Sequence, residues 1–306
     1  MARELPRLTL PRMRTPVLAL VVAAGFAAWL PAASEARDRH VLWTVQGEHN
    51  TVYLLGSIHV LRAEDGGLPK VAQDAYVDAE RLVMEIDMDD PISGDPMAMA
   101  ATAQRLALLP TGQSLRTVLG SDYAAVQSHA EEAGLDLALL DRFEPWFVAT
   151  ALLQMELAKR GFSSEQGVEE TLAKRAMADR KPIAGLETAE QQLGILAGLP
   201  MAEQKRFLLM TIDEMDDFDA EFDEVLRAWK SGDTAKLASL LGDEFARFPE
   251  LYRPLTEDRN RAWVGEIADL LDDRDDYLVV VGALHLVGRN SVVDLLQKRG
   301  YTVTQQ

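Results

Sequence analysis

Six short apolar runs, separated by segments of very different length, limit what this chain can fold into. Each run is rich in β-branched and aromatic residues and is bounded by turn residues, which is typical of strands. The first two are separated only by Glu48, His49 and Asn50, which predicts a hairpin, whereas the others have helical patterns between them. The sequence therefore predicts a central mixed β-sheet flanked by helices, with strands at 41–47, 51–59, 81–87, 181–187, 277–285 and 301–305.

The middle of the chain, from about residue 98 to residue 271, has the pattern of helices almost throughout. The stretch DRFEPWFVATALLQMELAKRG, for example, has apolar residues three and four positions apart and a glycine at its end. No low-complexity linker divides the chain. We therefore expect an α/β (α+β) fold in which residues 37–306 form a single domain, with a helical insertion between the two halves of the sheet.

The first 36 residues have the pattern of a signal peptide. Arginines precede the apolar run PVLALVVAAGFAAWL, and small residues follow it in PAASEA. The alternative is a membrane anchor, but a run of about fifteen residues is short for a span of about twenty. We expect cleavage near Ala36, a periplasmic or secreted mature chain, and no stable membrane insertion after cleavage.

Charge and cysteine content exclude some classes of function. The formal net charge is −18, so the chain is not expected to bind nucleic acid or an anionic membrane surface. It contains no cysteine, which excludes disulfides and thiolate chemistry. An ordinary apolar core must hold the fold, and the chain is long enough to form one. The oligomeric state is left open.

A Gly-x-x-His motif occurs twice, each time after an apolar run. Gly56 and His59 lie at the end of the second predicted strand, and Gly282 and His285 lie at the end of the fifth. Each glycine allows a sharp bend and leaves space beside the imidazole. Ligands of α/β proteins collect at the carboxyl ends of strands, so neighbouring strands would bring both histidines to one cleft. Alternatively, each motif serves a turn and its histidine is a hydrogen-bonded core residue.

Two further strands end in carboxylates. Glu85 lies at the end of RLVMEID and Glu187 at the end of KPIAGLE. A carboxylate directly after a buried strand is costly unless it is paired, hydrogen-bonded or bound to a metal. Arg259, which begins a predicted helix, could hold a substrate carboxylate or an oxyanion. The alternatives are a helix cap or surface turn for Glu85 and a surface ion pair for Arg259.

Together these residues carry a resemblance to the TraB/PrgY/GumN family, which includes the TIKI proteins. The motifs, in order, are GSIH, MEID, EQGVEETLAKRAMADRKPIAGLET, AWKSGD, EDRNRAW and GALHLVGRNSVVDLLQKRGY, and the similarity extends from Val41 to Val303. The resemblance implies a fold similar to erythromycin esterases and ChaN-like heme-binding proteins. It also implies that the family's functional histidines, acids and arginine correspond to His59, His285, Glu85, Glu187 and Arg259.

Two hypotheses about function follow. The first is that the protein hydrolyses an amide or ester bond in a peptide or small molecule. Two mechanisms are open for this reaction. TIKI proteins are described as metal-dependent proteases, so the two histidines and one or both of the two glutamates would bind Mn, Fe, Co or Zn. Erythromycin esterases are thought to activate water with His and Glu directly. In both, Arg259 would stabilise the oxyanion, and Gly56 and Gly282 would leave room for the bound group.

The second hypothesis is a protein that binds heme, a metal or a peptide in the same cleft without turnover. A heme-binding site needs only an axial histidine and an apolar slot, whereas a hydrolase needs acids placed against a water molecule. The sequence contains no His-Glu-x-x-His motif, which excludes a thermolysin-like zinc site.

Overall fold

The computed structural model of the protein describes residues 39–87, 92–213, 218–243 and 245–306. All six predicted strands are present and form one sheet. Their bounds are β1 (Leu42–Gln46), β2 (Thr51–Ser57), β3 (Arg81–Ile86), β4 (Ile183–Glu187), β5 (Tyr277–Gly282) and β6 (Val303–Gln305). The predicted signal peptide at 1–36 and the start of the predicted domain at residue 37 lie outside the described residues.

The sheet is mixed, as predicted. Its strand order is β4-β3-β5-β2-β1-β6. The four strands from β4 to β2 run parallel to one another, and β1 pairs antiparallel with both β2 and β6. The predicted hairpin between β1 and β2 is confirmed: Leu42 lies opposite Leu55, and Gln46 lies opposite Thr51. Long helical connections join the parallel strands, as parallel pairing requires.

Helices surround the sheet and fill the middle of the chain around β4, which confirms the mixed α/β architecture. Most begin at residues that favour helix starts; the helix at Pro145–Lys159, for example, has proline at its first position. The α-helices are α1 (Lys70–Asp78), α2 (Pro96–Leu106), α3 (Leu115–Leu119), α4 (Tyr123–Glu132), α5 (Pro145–Lys159), α6 (Val168–Asp179), α7 (Ala189–Ala197), α8 (Met201–Asp213), α9 (Phe218–Lys230), α10 (Thr234–Ala238), α11 (Pro249–Tyr252), α12 (Asp258–Leu270), α13 (Ala283–Leu286) and α14 (Val292–Lys298).

Two π-helical turns interrupt the helices near the end of the chain, at Ser239–Asp243 and Arg253–Glu257. The second continues directly into α12. Such turns are rare and occur frequently at functional sites. Here the second turn directly precedes the start of α12, which carries Arg259.

The central strand β5 is the most deeply buried element of the sheet. All of its residues, from Tyr277 to Gly282, are buried, as expected of a parallel strand that is covered on both faces. The buried apolar residues of sheet and helices form one connected cluster. Trp146, Trp263 and Phe207 are among its largest fully buried side chains. This packing fixes the strand ends relative to one another.

Two predicted strands end more than one residue earlier than expected. The strand predicted at 51–59 ends at Ser57, and the strand predicted at 277–285 ends at Gly282. The chain then leaves the sheet, and His285 lies in the single-turn helix α13. Both histidines are therefore beyond the last paired residues of their strands, where side chains can turn across the sheet edge.

Within the described part of the chain, none of the helices is both long and apolar enough to cross a membrane.

Candidate active site

The carboxyl ends of four parallel strands meet at one edge of the sheet. Ser57 at the end of β2 pairs with Gly282 at the end of β5, and Ile86 at the end of β3 pairs with Glu187 at the end of β4. Because β5 lies between β2 and β3, residues from distant parts of the chain come together here. This is the position at which α/β proteins bind their ligands.

A cavity of about 400 Å³ opens at this edge. Its polar side carries His59, Glu85, Arg259 and His285, four of the residues predicted for the site, together with Ser57 and Glu169. Its apolar lining includes Ile58, Leu196, Val225, Leu241, Phe245 and Leu255. An enclosure that is largely apolar with a few convergent polar groups is typical of a small-molecule or peptide side-chain site.

Gly282 lies at the point where the polar side chains converge. A methyl group placed on its Cα would lie 3.1 Å from Nε2 of His59, 3.3 Å from Oε1 of Glu85 and 3.6 Å from Cδ2 of His285. Any side chain at this position would therefore occupy the space that these three residues share. The predicted role of this glycine, to leave room beside the imidazoles, is consistent with that geometry.

Glu85 is buried and ionised. Its Oε1 accepts a hydrogen bond from the backbone N–H of Gly282 at 2.7 Å, and its Oε2 accepts from Nη2 of Arg259 at 2.6 Å and from Nε2 of Gln192 at 3.1 Å. Burial alone would raise the pKa of Glu85, but the charge of Arg259 and these hydrogen bonds lower it well below its ordinary value. Glu85 therefore presents a carboxylate to the cavity at neutral pH.

Arg259 joins the two predicted acids. Its Nε donates to both oxygens of Glu187 at 3.0 Å, and its Nη2 bonds Glu85 and lies 2.9 Å from Oε2 of Glu187. Its Nη1 donates to the carbonyl of Leu255 at 3.3 Å and faces Nε2 of His285 at 3.2 Å. These contacts engage all three nitrogens of the guanidinium. In this arrangement Arg259 organises its neighbours, and its predicted contact with an oxyanion stays a prediction.

Glu187 stands behind Arg259, away from the cavity lining. Besides the guanidinium, its Oε1 accepts from Nε1 of Trp263 at 3.0 Å. Its side chain is only 12% exposed. The structure thus brings Glu187 to the cluster but directs it at Arg259, so its contribution is to hold the arginine in place.

His285 is buried and neutral. Because an arginine can only donate, Nε2 of His285 accepts from Arg259, and Nδ1 carries the proton and donates to Oδ1 of Asn260 at 2.7 Å. The ring also packs against Trp263, with 4.5 Å between the ring centroids. Burial, followed by the charge of Arg259, lowers the pKa of His285 to about 3. Both nitrogens are occupied, so His285 is not free to act as a base in this arrangement.

His59 is the more accessible histidine, with a side chain 54% exposed. Its Nδ1 lies 2.6 Å from Oε1 of Glu169, and the hydroxyl of Ser57 donates to the same oxygen. The charge of Glu169 raises the pKa of His59 to about 9, although desolvation opposes it. Since Ser57 donates to Glu169 rather than to the imidazole, these residues do not form the serine–histidine pair of a nucleophilic hydrolase.

The four predicted metal ligands do not fit a metal ion in this arrangement. Glu187 is bound by Arg259 and Trp263, and Nε2 of His285 faces a positively charged guanidinium. Among the residues that the structure describes, no group of three or more histidine, aspartate or glutamate side chains is placed to hold a metal. A bound divalent ion would have to displace Arg259 from the centre of the cluster. The metal-ligand assignment stays a prediction.

Gly56, the other predicted glycine, lies outside the cavity lining. A methyl group on its Cα would lie 2.5 Å from Cγ1 of Val41 and 3.2 Å from Cα of Ala283. Its carbonyl accepts from Nε1 of Trp229 at 2.7 Å. Its role is therefore in close packing beneath the site, not in contact with a bound group.

Sequence reasoning missed three residues that hold the histidines and Glu85 in place: Glu169, Asn260 and Gln192. Glu169 lies in EQGVEETL, a motif that carries the family resemblance, but that motif also contains Glu165 and Glu170. Asn260 lies next to Arg259 on α12. Asn260 is thus part of the motif EDRNRAW, which carries the family resemblance, and could have been chosen on that ground. No local pattern distinguishes Gln192.

Comparisons with known proteins place the chain in a family. The uncharacterized protein YbaP of Escherichia coli is 25% identical over 270 residues, which is 85% of this chain and 95% of YbaP. An uncharacterized protein of Treponema pallidum is 26% identical over 285 residues, 88% of this chain and 83% of that protein. The metalloprotease TIKI2 of Xenopus tropicalis is 24% identical over 318 residues, 86% of this chain but 59% of TIKI2. No solved structure matches the chain. Residues 41–305 match the TraB/PrgY/gumN family, and the chain belongs to that family.

Proposed function

We propose that the protein hydrolyses an amide or ester bond in a peptide or small molecule. The observation that carries this proposal is the convergence of His59 Nε2 and Glu85 Oε1 on the space beside Gly282, at the polar side of an otherwise apolar cavity. A water molecule in that space could contact a carboxylate and an imidazole together, while the apolar wall holds the substrate. The distant likeness to TIKI2, a metalloprotease, supports a proteolytic reaction.

His59 and Glu85 divide the proton transfers between them. The Glu85 carboxylate orients the attacking water and accepts its proton, and the cationic His59 donates a proton from Nε2 to the leaving group. Two groups whose environments move their pKa values in opposite directions are typical of an acid–base pair. A carboxylate with a low pKa is a weak base, so Glu85 must become more basic for this role. A bound substrate that excludes water from the cavity would raise the pKa of Glu85.

Arg259 and His285 supply the framework of this reaction. Arg259 forms ion pairs with both Glu85 and Glu187, and His285 fixes one end of the guanidinium. The carboxylate of Glu85 therefore stays ionised and keeps one orientation in a buried site. Preorganised charge of this kind reduces the reorganisation needed in the transition state.

Direct activation of water by side chains is favoured over a metal-bound water, because three of the four predicted ligands, Glu85, Glu187 and His285, are committed to Arg259 and its neighbours. The reaction as proposed has no step through a metal ion. A metal-dependent reaction would require a second arrangement of Arg259.

One observation favours the alternative of a binding protein. Glu169 holds Nδ1 of His59, and Nε2 faces the cavity. A histidine oriented in this way is also typical of a metal or heme ligand. In this second candidate function, His59 would be the axial ligand of heme, or a ligand of a metal, and the apolar lining would enclose the bound group.

The test is a hydrolysis assay on the purified chain from residue 37 to residue 306. The probes are quenched fluorescent peptides of mixed sequence and p-nitrophenyl acetate, each with EDTA and with added Mn²⁺, Co²⁺ or Zn²⁺. We expect turnover that survives EDTA and that falls in Glu85→Gln, an isosteric change. The matched control is Glu190→Gln, on the exposed start of α7.

Turnover that appears only with a metal refutes the metal-free mechanism. Absence of turnover, with heme absorbance that depends on His59, supports the binding function.

A further inference from the structure

Glu169 lies on a segment that is docked closely onto the end of β2. The residue belongs to the first turn of α6, and the backbone N–H of Val168 donates to the carbonyl of Ile58 at 3.1 Å. At Gly167 the two backbones approach so closely that a methyl group would lie 2.2 Å from the carbonyl oxygen of His59. Only glycine permits this approach. The start of α6 and the His59 backbone are therefore fixed relative to each other.

The side chain of Glu169 connects the two polar residues of the GSIH motif. Its Oε1 lies 2.6 Å from Nδ1 of His59 and accepts the hydroxyl hydrogen of Ser57. A carboxylate can only accept, so Nδ1 of His59 must carry a hydrogen. Nε2 is then the nitrogen that can exchange a proton with a reacting group, and it is the nitrogen beside Gly282 and Glu85.

The other carboxylate oxygen indicates that this contact is not optimised for stability. Oε2 of Glu169 is buried and has no hydrogen-bond partner in the described part of the chain. A buried acceptor without a partner is costly, because it has given up its hydrogen bonds to water and gained none from the protein. A carboxylate held at such a cost beside a functional imidazole requires an explanation, and the orientation of His59 provides one.

We propose that Glu169 is a positioning residue for the reaction, which fixes the ring and tautomer of His59 so that Nε2 faces the substrate. Ser57 in turn holds Glu169. This inference rests on the proposed hydrolysis for its effect on rate, but the tautomer of His59 is measurable without any substrate. The two ideas can therefore fail separately.

The substrate-free test is ¹⁵N NMR of the histidine-labelled protein, at a pH high enough for the imidazole of His59 to be neutral. The His59→Ala spectrum assigns its signals, and His285, held by Asn260, serves as an internal reference. In the parent protein we expect the hydrogen of His59 on Nδ1. In Glu169→Ala we expect a shift towards the Nε2–H form, and in Glu169→Gln, which keeps an acceptor oxygen, we expect the parental form.

The kinetic test uses the same variants on the quenched peptides. Loss of the group that orients a functional histidine typically costs about 10- to 100-fold. We expect that fall in kcat for Glu169→Ala with little change in KM, and partial rescue in Glu169→Gln. The matched control is Glu170→Ala, the next residue of α6, whose partner is Lys174 on the surface. Its kcat should equal the parental value.

A neutral His59 with its hydrogen on Nε2 in the parent protein overturns the proposal directly, even if a Glu169 variant fails to fold. Equal kcat in the parent and Glu169→Ala, with the parent active, overturns it as well. If the parent has no hydrolytic activity but shows the expected tautomer, the proposed function fails and the positioning of His59 by Glu169 stands.

Discussion

Replacing Arg259 by methionine should destabilise the protein more than any surface substitution. Methionine keeps most of the side-chain volume, so the change removes mainly the charge and the hydrogen bonds. It leaves Glu85 and Glu187, whose side chains are 9% and 12% exposed, without their shared cation. Breaking a buried ion pair by removing one partner costs about 3–5 kcal/mol. At about 2–4 °C per kcal/mol for a chain of this size, the thermal midpoint should fall by about 6–20 °C.

The loss should depend on pH in a direction that follows from Glu85. In the parent, the pKa of Glu85 is lowered from its ordinary 4.5, so its stabilising contribution is present above that pH and is lost only as pH falls through the lowered value. In Arg259→Met, burial without the cation raises the pKa of Glu85, so protonation on acidification relieves the penalty. The difference between the two proteins should therefore be largest near pH 7 and smaller near pH 5.

Urea unfolding of both proteins at these two pH values measures the effect. The matched control is Arg261→Met on the same helix, whose side chain is 48% exposed and pairs with Glu257 and Asp258 at the surface. Exposed pairs contribute about 0–1 kcal/mol. Adding Glu85→Gln to Arg259→Met should restore part of the stability. If Arg259→Met costs no more than the control, or its penalty grows as pH falls, the account of Arg259 as the cation of a buried cluster is wrong.

Four further predictions concern the site and the N-terminus. His59→Ala should lower turnover by about 100-fold, as loss of an acid–base residue typically does, and should leave the thermal midpoint almost unchanged; His129→Ala, on a surface helix, is the control. If His59 donates a proton, parental kcat/KM should fall as pH rises through about 9. Gly282→Ala should abolish turnover because its methyl group enters the shared space, whereas Gly194→Ala, with nothing nearby, should be neutral or slightly stabilising. N-terminal sequencing of periplasmic protein should begin near Arg37, and an intact chain in the membrane fraction would contradict the signal peptide.

The strands could be predicted because their signals are local. A run such as YLVVVG has no charged residue, which is typical of a strand buried on both faces, and β5 is indeed buried throughout. The ends of β2 and β5 were placed too late because the apolar character of the GSIH and GALH segments continues past the last ladder pairing. An apolar residue indicates burial, whether it lies within the sheet or just beyond the sheet edge. Hydrophobicity alone therefore does not mark the last paired residue of a strand.

Four side chains at this sheet edge could also be predicted from the sequence. His59, Glu85, Glu187 and His285 each lie at the end of a predicted strand, and the carboxyl ends of parallel strands share one edge. Local patterns predict where a strand lies and where it ends. Those two facts determine which residues lie at that edge of a parallel sheet. The structure places His59, Glu85 and His285 around the cavity, and Glu187 behind it.

Only the tertiary structure decided what each group does there. Arg259 was expected to meet an oxyanion, but its N–H groups are engaged by partners that include Glu85, 174 positions away, and Glu187, 72 positions away. Likewise, Glu169 on α6 and Asn260 on α12 fix the nitrogens of His59 and His285. Hydrogen-bond partners, and hence tautomers and pKa values, depend on distances of a few ångströms between elements far apart in sequence. Packing of those helices on the strand ends sets the distances, and no pattern within a single segment contains them.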